Sequence, residues 1–371
     1  MFITTITFIL ILGLLIFIHE LGHFISAIKT GVKVEEFGLG FPPRIWGKKG
    51  KGGIIYSINW IPIGGFVRIK GESGESREDQ DSFAHKSFWV RGLILSAGVL
   101  MNVFLAFVIF SVGYMFGLPT ALSEGHEASA RVRELKIQIA DVVQDSPAYQ
   151  AGIMVADQIL KIDSLEVKTV ADVQNYIKEH QDQVLSLSIK SEGEIREIQI
   201  KPEEIKDFAQ GKVLGITLIK TGIISYNFFT SWYYGAMATW NLLITIIVAF
   251  YELFKNLFLG LGLTIELSGP VGVAVMTGRV VNLGWTYILQ FTALLSLNLA
   301  VINFLPFPAL DGGRFLFLII EKIRRKPNNQ KIENFIHTIG FSLLMVLIVV
   351  VTYRDVLRYG GGVIDKIKNL F

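Results

Sequence analysis

The chain has 371 residues, no cysteine, 51% hydrophobic and only 18% charged residues, where an average soluble domain carries about 25% charged. Absence of cysteine excludes a disulfide scaffold, a cysteine-based zinc site, a thiol nucleophile and an iron–sulfur centre, and a net charge of +3 is too small for a nucleic-acid binder. What remains is a membrane protein with room for one soluble domain of about 100 residues.

In chain order, the charges are missing in blocks. Residues 1–18, 92–123, 222–251 and 280–310 contain no Asp, Glu, Lys or Arg, and residues 335–353 hold only His337 as an ionisable side chain apart from tyrosine. A spanning helix needs about 20 apolar residues, so there are five candidate segments. The first lacks a basic n-region and a small-residue cleavage site, and reads as a retained helix rather than a signal peptide. Residues 124–220 carry 12 Lys/Arg against 17 Asp/Glu; residues 29–91 carry 11 against 7, and residues 314–335 carry 6 against 2. Basic short loops stay cytoplasmic. This puts 29–91 and 314–334 inside and the acidic domain outside, although Arg354, Arg358, Lys366 and Lys368 in the tail fit that rule poorly.

The first apolar run ends in His19, Glu20, Leu21, Gly22 and His23, an H-E-x-x-H pattern. Residues i and i+4 share one helix face, so His19 and His23 can bind one metal while Glu20 lies beside a water held there. Imidazole nitrogens suit zinc, which lowers the pKa of a water from about 15.7 to about 7. Glu20 is then the general base that takes a proton and returns it to the leaving amine. Two surface histidines on a helix would be the plainer explanation. However, the uncharged flank places these groups at membrane depth, where each charge costs roughly 2.5–3.5 kcal/mol on insertion scales.

Such a site needs a third protein ligand. His126 and His180 lie in the acidic domain, His85 in the first basic loop, and His337 at the start of the last apolar block. The best candidate is Asp311, where the fourth uncharged block meets a basic loop; as a bare helix N-cap it would follow naturally from Pro306, Pro308, Gly312 and Gly313. Asn102, Asn298 and Asn303 are polar residues in apolar blocks. They suit either interhelical bonding or holding a substrate. If Asp311 and His23 sit at the same depth, their two helices run the same way and an odd number of crossings lies between them. Residues 222–251 are then expected to lie along the interface or to dip in and return, with Trp232, Tyr233, Tyr234 and Trp240 as interface residues.

The expected organisation is therefore an α-helical polytopic protein with four transmembrane helices. Residues 1–28 form the first, 29–91 a cytoplasmic membrane-associated β-rich loop, 92–117 the second helix, and 124–221 an inserted α+β domain. Residues 222–284 form an interfacial or re-entrant helical linker, 285–313 the third helix with its L-D-G motif, and 314–334 a cytoplasmic basic loop. Residues 335–353 form the fourth helix and 354–371 a tail.

With these residues assembled, the chain resembles the bacterial site-2 protease family, in its RseP-type (regulator of sigma-E protease) branch. The resemblance runs nearly end to end. It rests on Phe17 to Phe24 around H-E-x-x-H, on Phe37-Gly38-Leu39-Gly40, and on Ile61-Pro62-Ile63-Gly64-Gly65-Phe66-Val67-Arg68. It rests also on Ser268-Gly269-Pro270 and on N-x-x-P-x-P-x-L-D-G from Asn303. Val99 stands where the family's second helix usually has proline, and Arg314 where histidine is frequent. The resemblance implies zinc held by His19, His23 and Asp311, with Glu20 as base. It also implies an inner-membrane enzyme with its site near the cytoplasmic side, cutting peptide bonds inside transmembrane helices. The implied partners are an anti-sigma factor already trimmed outside, signal-peptide remnants and the lipid bilayer.

The middle domain looks like a PDZ domain: Ser146-Pro147-Ala148 leading to Ala151-Gly152, then Asp157, Ile159, Leu160 and Ile162, with Ala156 in place of the usual glycine. Such domains take an extended peptide as an added strand; a size filter that blocks helices with large outer domains is an equal alternative. Residues 53–70 are β-rich and flanked by glycine, so Gly65, Phe66 and Val67 are expected on an edge that pairs with an unwound substrate, against a purely structural hairpin. Asn102 and Asn303 join them as candidate substrate-binding residues. A PDZ-bearing scaffold without catalysis, or a transporter, remains the contrasting function; the absence of an inverted repeat speaks against the latter.

Overall fold

The computed structural model describes residues 2–122, 130–191, 193–205, 211–261 and 268–368. It divides into two compact units: residues 1–110, 235–281 and 288–371, and residues 111–234 with 282–287.

The first unit starts with α1 (Phe2–Lys29). Its buried residues are Ile11, Leu15, His19, Gly22, His23 and Ala27. This spacing marks a single helix face, so the sequence pattern that packs α1 also turns both histidines inward. Next come β1 (Val34–Lys49) and β2 (Ile55–Ile69). Each is used twice. Val34, Gly38 and Leu39 pair with Ile69, Phe66 and Gly65; Phe37 and Leu39 also pair with Tyr56 and Ile58; and Arg44 to Lys49 pair with Asn59 to Ile55. Across the sheet the segments therefore run 44–49, 55–61, 34–41, 65–69, which leaves residues 65–69 on an edge. Gly64, at φ +91°, makes the bend that starts this edge segment. The sheet rests on α1 and on α2 (Phe88–Phe116), through a core that includes Ala27, Val34, Ile69, Phe83, Ile94 and Leu95.

In the second unit, α2 ends and β3 (Leu118–Ala121) and β4 (Arg131–Val142) follow. After them come α3 (Pro147–Gln150), β5 (Gln158–Ile162), β6 (Leu165–Glu166), α4 (Val170–Glu179), β7 (Leu185–Ser191) and β8 (Glu194–Ile200). The short pair β9 (Glu203–Glu204) and β10 (Lys212–Val213) precedes β11 (Ile216–Ser225). The main sheet has the order β3-β11-β4-β5-β7-β8. Alternation along β7 buries Leu185, Leu187 and Ile189 on one face. They pack with Val173 and Ile177 of α4, whose start is fixed by a capping box between Thr169 and Asp172. An α/β domain is thus inserted in the chain between two apolar helices.

The remaining helices are α5 (Phe228–Phe258), α6 (Pro270–Leu283), α7 (Trp285–Phe304), α8 (Asp311–Arg324) and α9 (Gln330–Lys368). Among the described residues five helices are long and apolar enough to cross a membrane, where four were expected: α1, α2, α5, α7 and residues Gln330–Arg358 of α9. The stretch expected to be interfacial or re-entrant holds α5, one uninterrupted helix of 31 residues. The aromatic residues that suggested an interface occupy only its first turns, and residues 242–250 beyond them are apolar except for Thr245. The C-terminal half of α5, including Ile247, Phe250 and Phe254, lies beside Ser96, Val99 and Leu100 of α2. The next helix, α6, packs near the N-terminal half of α1: Gly278 lies beside Thr4, and Val273 and Val280 pack against the cluster of Ile11, Leu15 and Phe291. Two further boundaries shift. The expected basic loop 314–334 is largely α8, an amphipathic helix, and α9 runs on through the expected tail to Lys368.

Candidate metal and catalytic site

Three elements of the first unit converge on one point. From α1 come His19 and His23, both buried. From the start of α8 comes Asp311. Its carboxylate does not cap the helix; the N-cap residue is Leu310, with no side-chain cap bond. Instead Asp311 Oδ2 lies 2.9 Å from His19 Nε2 and 3.3 Å from His23 Nε2, and the two Nε2 atoms are 3.2 Å apart. Four ligands arranged tetrahedrally at about 2.0–2.1 Å from zinc stand about 3.3 Å from one another. The triangle therefore has the edge lengths of three corners of such a site, with two nitrogens and one oxygen and the fourth corner open. Among the described residues this is the cluster of three that could hold a metal ion.

The histidines are oriented from behind. His23 Nδ1 donates to the carbonyl of Ile94 at 2.8 Å, which leaves its Nε2 lone pair facing the centre. His19 Nδ1 faces the fully buried carboxamide of Asn102 at 3.3 Å. The Asn102 Oδ1 atom has no hydrogen-bond partner. If His19 presents Nε2 to a metal, its Nδ1 carries hydrogen and needs an acceptor. A half-turn of the carboxamide supplies that acceptor and satisfies the orphaned oxygen. The Asn102 carbonyl in turn accepts from Ser296 Oγ of α7 at 2.8 Å.

Close helix contact makes this possible. A Cβ on Gly22 would come within 2.3 Å of the Ala97 carbonyl oxygen, and one on Gly98 within 2.3 Å of His23 Nε2. These glycines let α1 and α2 approach backbone to backbone. The turn before Asp311 is held by His337: its Nδ1 accepts from the Ala309 amide at 2.8 Å, where Ala309 has φ +78°. His337, considered above as a ligand, thus braces the loop that leads into Asp311. Arg314, one turn beyond Asp311, pairs with Glu72.

Glu20 stands beside the triangle and accepts a 3.0 Å hydrogen bond from the Val67 amide on the sheet edge. Gly65 is buried on the same edge, and a Cβ there would lie 3.9 Å from Glu20 Cγ. Phe66 is half-buried next to it. Asn303 is half-buried near the end of α7 and makes no side-chain hydrogen bond among the described residues. Asn298 bonds back to the Leu294 carbonyl at 2.9 Å, within its own helix. The bracing by Ile94, Ser296 and His337 was not anticipated from sequence. Only the lone His337 in an apolar block gave a signal, and it suggested a different role.

Comparison with known proteins agrees with this chemistry. Residues 7–347 match the model of peptidase family M50. A protein named as a zinc metalloprotease in Clostridium acetobutylicum is 35% identical over 349 residues, covering 94% of this chain and 96% of its own. The zinc metalloprotease RasP of Bacillus licheniformis is 30% identical, covering 96% and 99%. The regulator of sigma-W protease RasP of Bacillus subtilis is 29% identical, covering 96% and 98%. A solved PDZ domain of the SdrC-like protein from Listeria innocua covers 22% of this chain at 25% identity, with a TM-score of 0.20 that carries no weight for the fold.

The chain defines a membrane-embedded zinc metalloprotease. It belongs to peptidase family M50, the site-2 proteases, on the RseP-type side of that family.

Proposed function

We propose that His19, His23 and Asp311 hold the zinc, that Glu20 is the general base, and that the substrate is a transmembrane segment of another membrane protein. The observation that carries this reading is the triangle of 2.9, 3.2 and 3.3 Å edges with Glu20 beside it. When bound, zinc polarises the scissile carbonyl and activates water. Glu20 takes the proton from that water and passes it to the leaving nitrogen. Asn102 orients His19 rather than touching the substrate; Asn303, whose carboxamide is uncommitted, is the better candidate for the substrate.

A helical peptide bond is already tied up in the i to i−4 ladder, so cleavage needs an extended segment. The edge 65–69 offers one by strand addition. An open apolar cavity of about 740 Å³ between α2, α5 and α7, lined by Val99, Leu243, Phe250, Val301 and Phe304, has the chemistry to hold an apolar helix. Because the Bacillus subtilis relative is named for sigma-W regulation, an anti-sigma factor trimmed beforehand is the proposed class of natural substrate, with signal-peptide remnants as a second. The basic loops suggest a site near the cytoplasmic side, with the inserted domain on the opposite side.

The inserted domain is proposed to be of PDZ type. Among the described residues, 216–219 of β11 pair with β4 alone, because the β3 side begins at Lys220, whose carbonyl accepts from the Leu122 amide. Beside this free edge runs α4, and a groove of about 420 Å³ lined by Gln174, Ile177, Leu214 and Ile216 separates them. A peptide strand fits between the two.

The deciding experiment is metal analysis together with cleavage of a model transmembrane peptide. Wild type should contain one zinc and cleave. Glu20→Gln should retain zinc and lose about 10²–10⁴-fold in rate. His19→Ala, His23→Ala and Asp311→Ala should each lose zinc. Cleavage by Glu20→Gln at the wild-type rate would overturn the assignment.

A further inference from the structure

A second cavity, of about 840 Å³, opens in the first unit between the Phe83–His85 turn, the first turn of α2 and the C-terminal half of α8. Its wall carries six cations, Arg77, Lys86, Arg91, Lys322, Arg325 and Lys326, against one carboxylate, Glu321. Arg77 and Arg91 share that carboxylate, at 2.9 and 3.1 Å. The other four form no ion pair among the described residues; Lys322 instead lies over the Phe88 ring, 5.6 Å from its centroid. Arg91 Nε is buried without an acceptor. Like charges gathered around a cavity repel one another, and a buried donor without a partner is unfavourable. The repulsion among the cations is removed by one bound anion with several acceptor oxygens.

The surroundings say which anion. Arg91 is the last charge before the uncharged run 92–123, so the cavity sits where an apolar span begins. Trp89 is 78% exposed and packs edge-on against Phe88, a wall residue, at 5.1 Å. Ile323, another wall residue, is 75% exposed. An exposed tryptophan and isoleucine beside a ring of cations fit the boundary between headgroups and acyl chains. The cavity is also far larger than one inorganic phosphate. We propose that this cavity binds the phosphodiester headgroup of an anionic phospholipid, with Phe88, Trp89 and Ile323 against the acyl chains. The site does not depend on the protease chemistry.

The test uses the full chain in detergent micelles, with native mass spectrometry of short-chain phosphatidylglycerol against short-chain phosphatidylcholine. Wild type should prefer the anionic lipid. A cation at an anionic headgroup contributes about fivefold. Lys322→Gln, Arg325→Gln and Lys326→Gln should each lower phosphatidylglycerol affinity by about that factor, and the triple variant by at least about tenfold, toward the phosphatidylcholine level. The pair Lys48→Gln and Lys49→Gln, on the hairpin sheet outside the cavity, should leave the preference unchanged. Retention of the preference by the triple variant and the single variants would overturn the proposal, as would an equal loss in the hairpin pair. Displacement by inorganic phosphate as effectively as by phosphatidylglycerol would assign the site to a soluble anion and overturn the lipid reading.

Discussion

The Val67 amide donates to the Glu20 carboxylate at 3.0 Å, joining the free edge of the hairpin sheet to the residue beside the metal triangle. An N–H that bonds Glu20 points away from its own sheet, because the partner strand lies on the other side, at Phe37. It is therefore the same N–H that an added substrate strand would use. On the proposed edge pairing, resting state and substrate would compete for one donor, and a substrate carbonyl that took the Val67 amide would release Glu20 next to the bond being presented.

Val67→Pro removes that donor without touching the three ligands. Cleavage of a model transmembrane peptide should fall by about 2- to 12-fold, the equivalent of one lost neutral hydrogen bond to the substrate carbonyl. Zinc content should stay at the wild-type level. Val67→Thr, which keeps the amide and a β-branched side chain, should cleave nearly as wild type. Full activity in the proline variant would sink the edge-pairing role.

Much of the site was legible before the fold. His19 and His23 lie on the face of α1 that also carries Ile11 and Leu15, so apolar periodicity alone turns them inward. Asp311 stood out as a carboxylate closing an uncharged block. Two things were not legible. One was the bracing behind the ligands: Ile94 acts through a main-chain carbonyl and Gly98 through the absence of a side chain, and neither property shows as a residue type with its own chemistry. The other was α5. Its first turns hold Trp232, Tyr233, Tyr234 and Trp240, which mark an interface just as well when a helix only begins there.

Gly98 offers a test of that hidden bracing. In an unconstrained helix Gly→Ala stabilises by about 0.5–1 kcal/mol. Here the new methyl would sit 2.3 Å from His23 Nε2 and 2.8 Å from His19 Nε2. The two helices would have to separate, at about 1–3 kcal/mol for overpacking. Gly98→Ala should therefore lose zinc and lower the thermal midpoint. Gly13→Ala, on α1 with nothing within 4 Å of its added Cβ, should keep zinc and hold or raise the midpoint.

The hairpin sheet carries its own pH dependence through Glu36, which is buried and accepts from Ser57 Oγ at 2.7 Å and Arg44 Nη2 at 2.6 Å. Burial pushes its carboxyl up, but the Ser57 and Arg44 hydrogen bonds and the charges of Arg44 and Arg68 outweigh that and hold it below its ordinary value. A carboxylate depressed in the folded state stabilises fully above its unfolded value, and the stabilisation is lost as pH falls through the folded one. Amide exchange in residues 34–69 should therefore quicken as pH drops below about 4.5, after correction for intrinsic exchange. Glu36→Gln should flatten that dependence. An unchanged profile in Glu36→Gln would remove Glu36 as its cause.

Asn102 separates two roles by measurement. If, with its carboxamide turned, it accepts from His19 Nδ1–H, it would fix the ring for the proposed metal, and removing such a partner typically costs about 10–100-fold in metal affinity. Asn102→Ala should show that loss in a chelator competition run without substrate. Asn102→Asp, which keeps an acceptor oxygen at the same place, should recover most of it. A residue that only contacts substrate predicts the opposite split: zinc affinity unchanged in both variants and the defect confined to KM or kcat. Ser296→Ala gives the corresponding check from α7, since its hydroxyl donates to the Asn102 main-chain carbonyl rather than the carboxamide. It should shift zinc affinity much less than Asn102→Ala if the carboxamide itself is the orienting group.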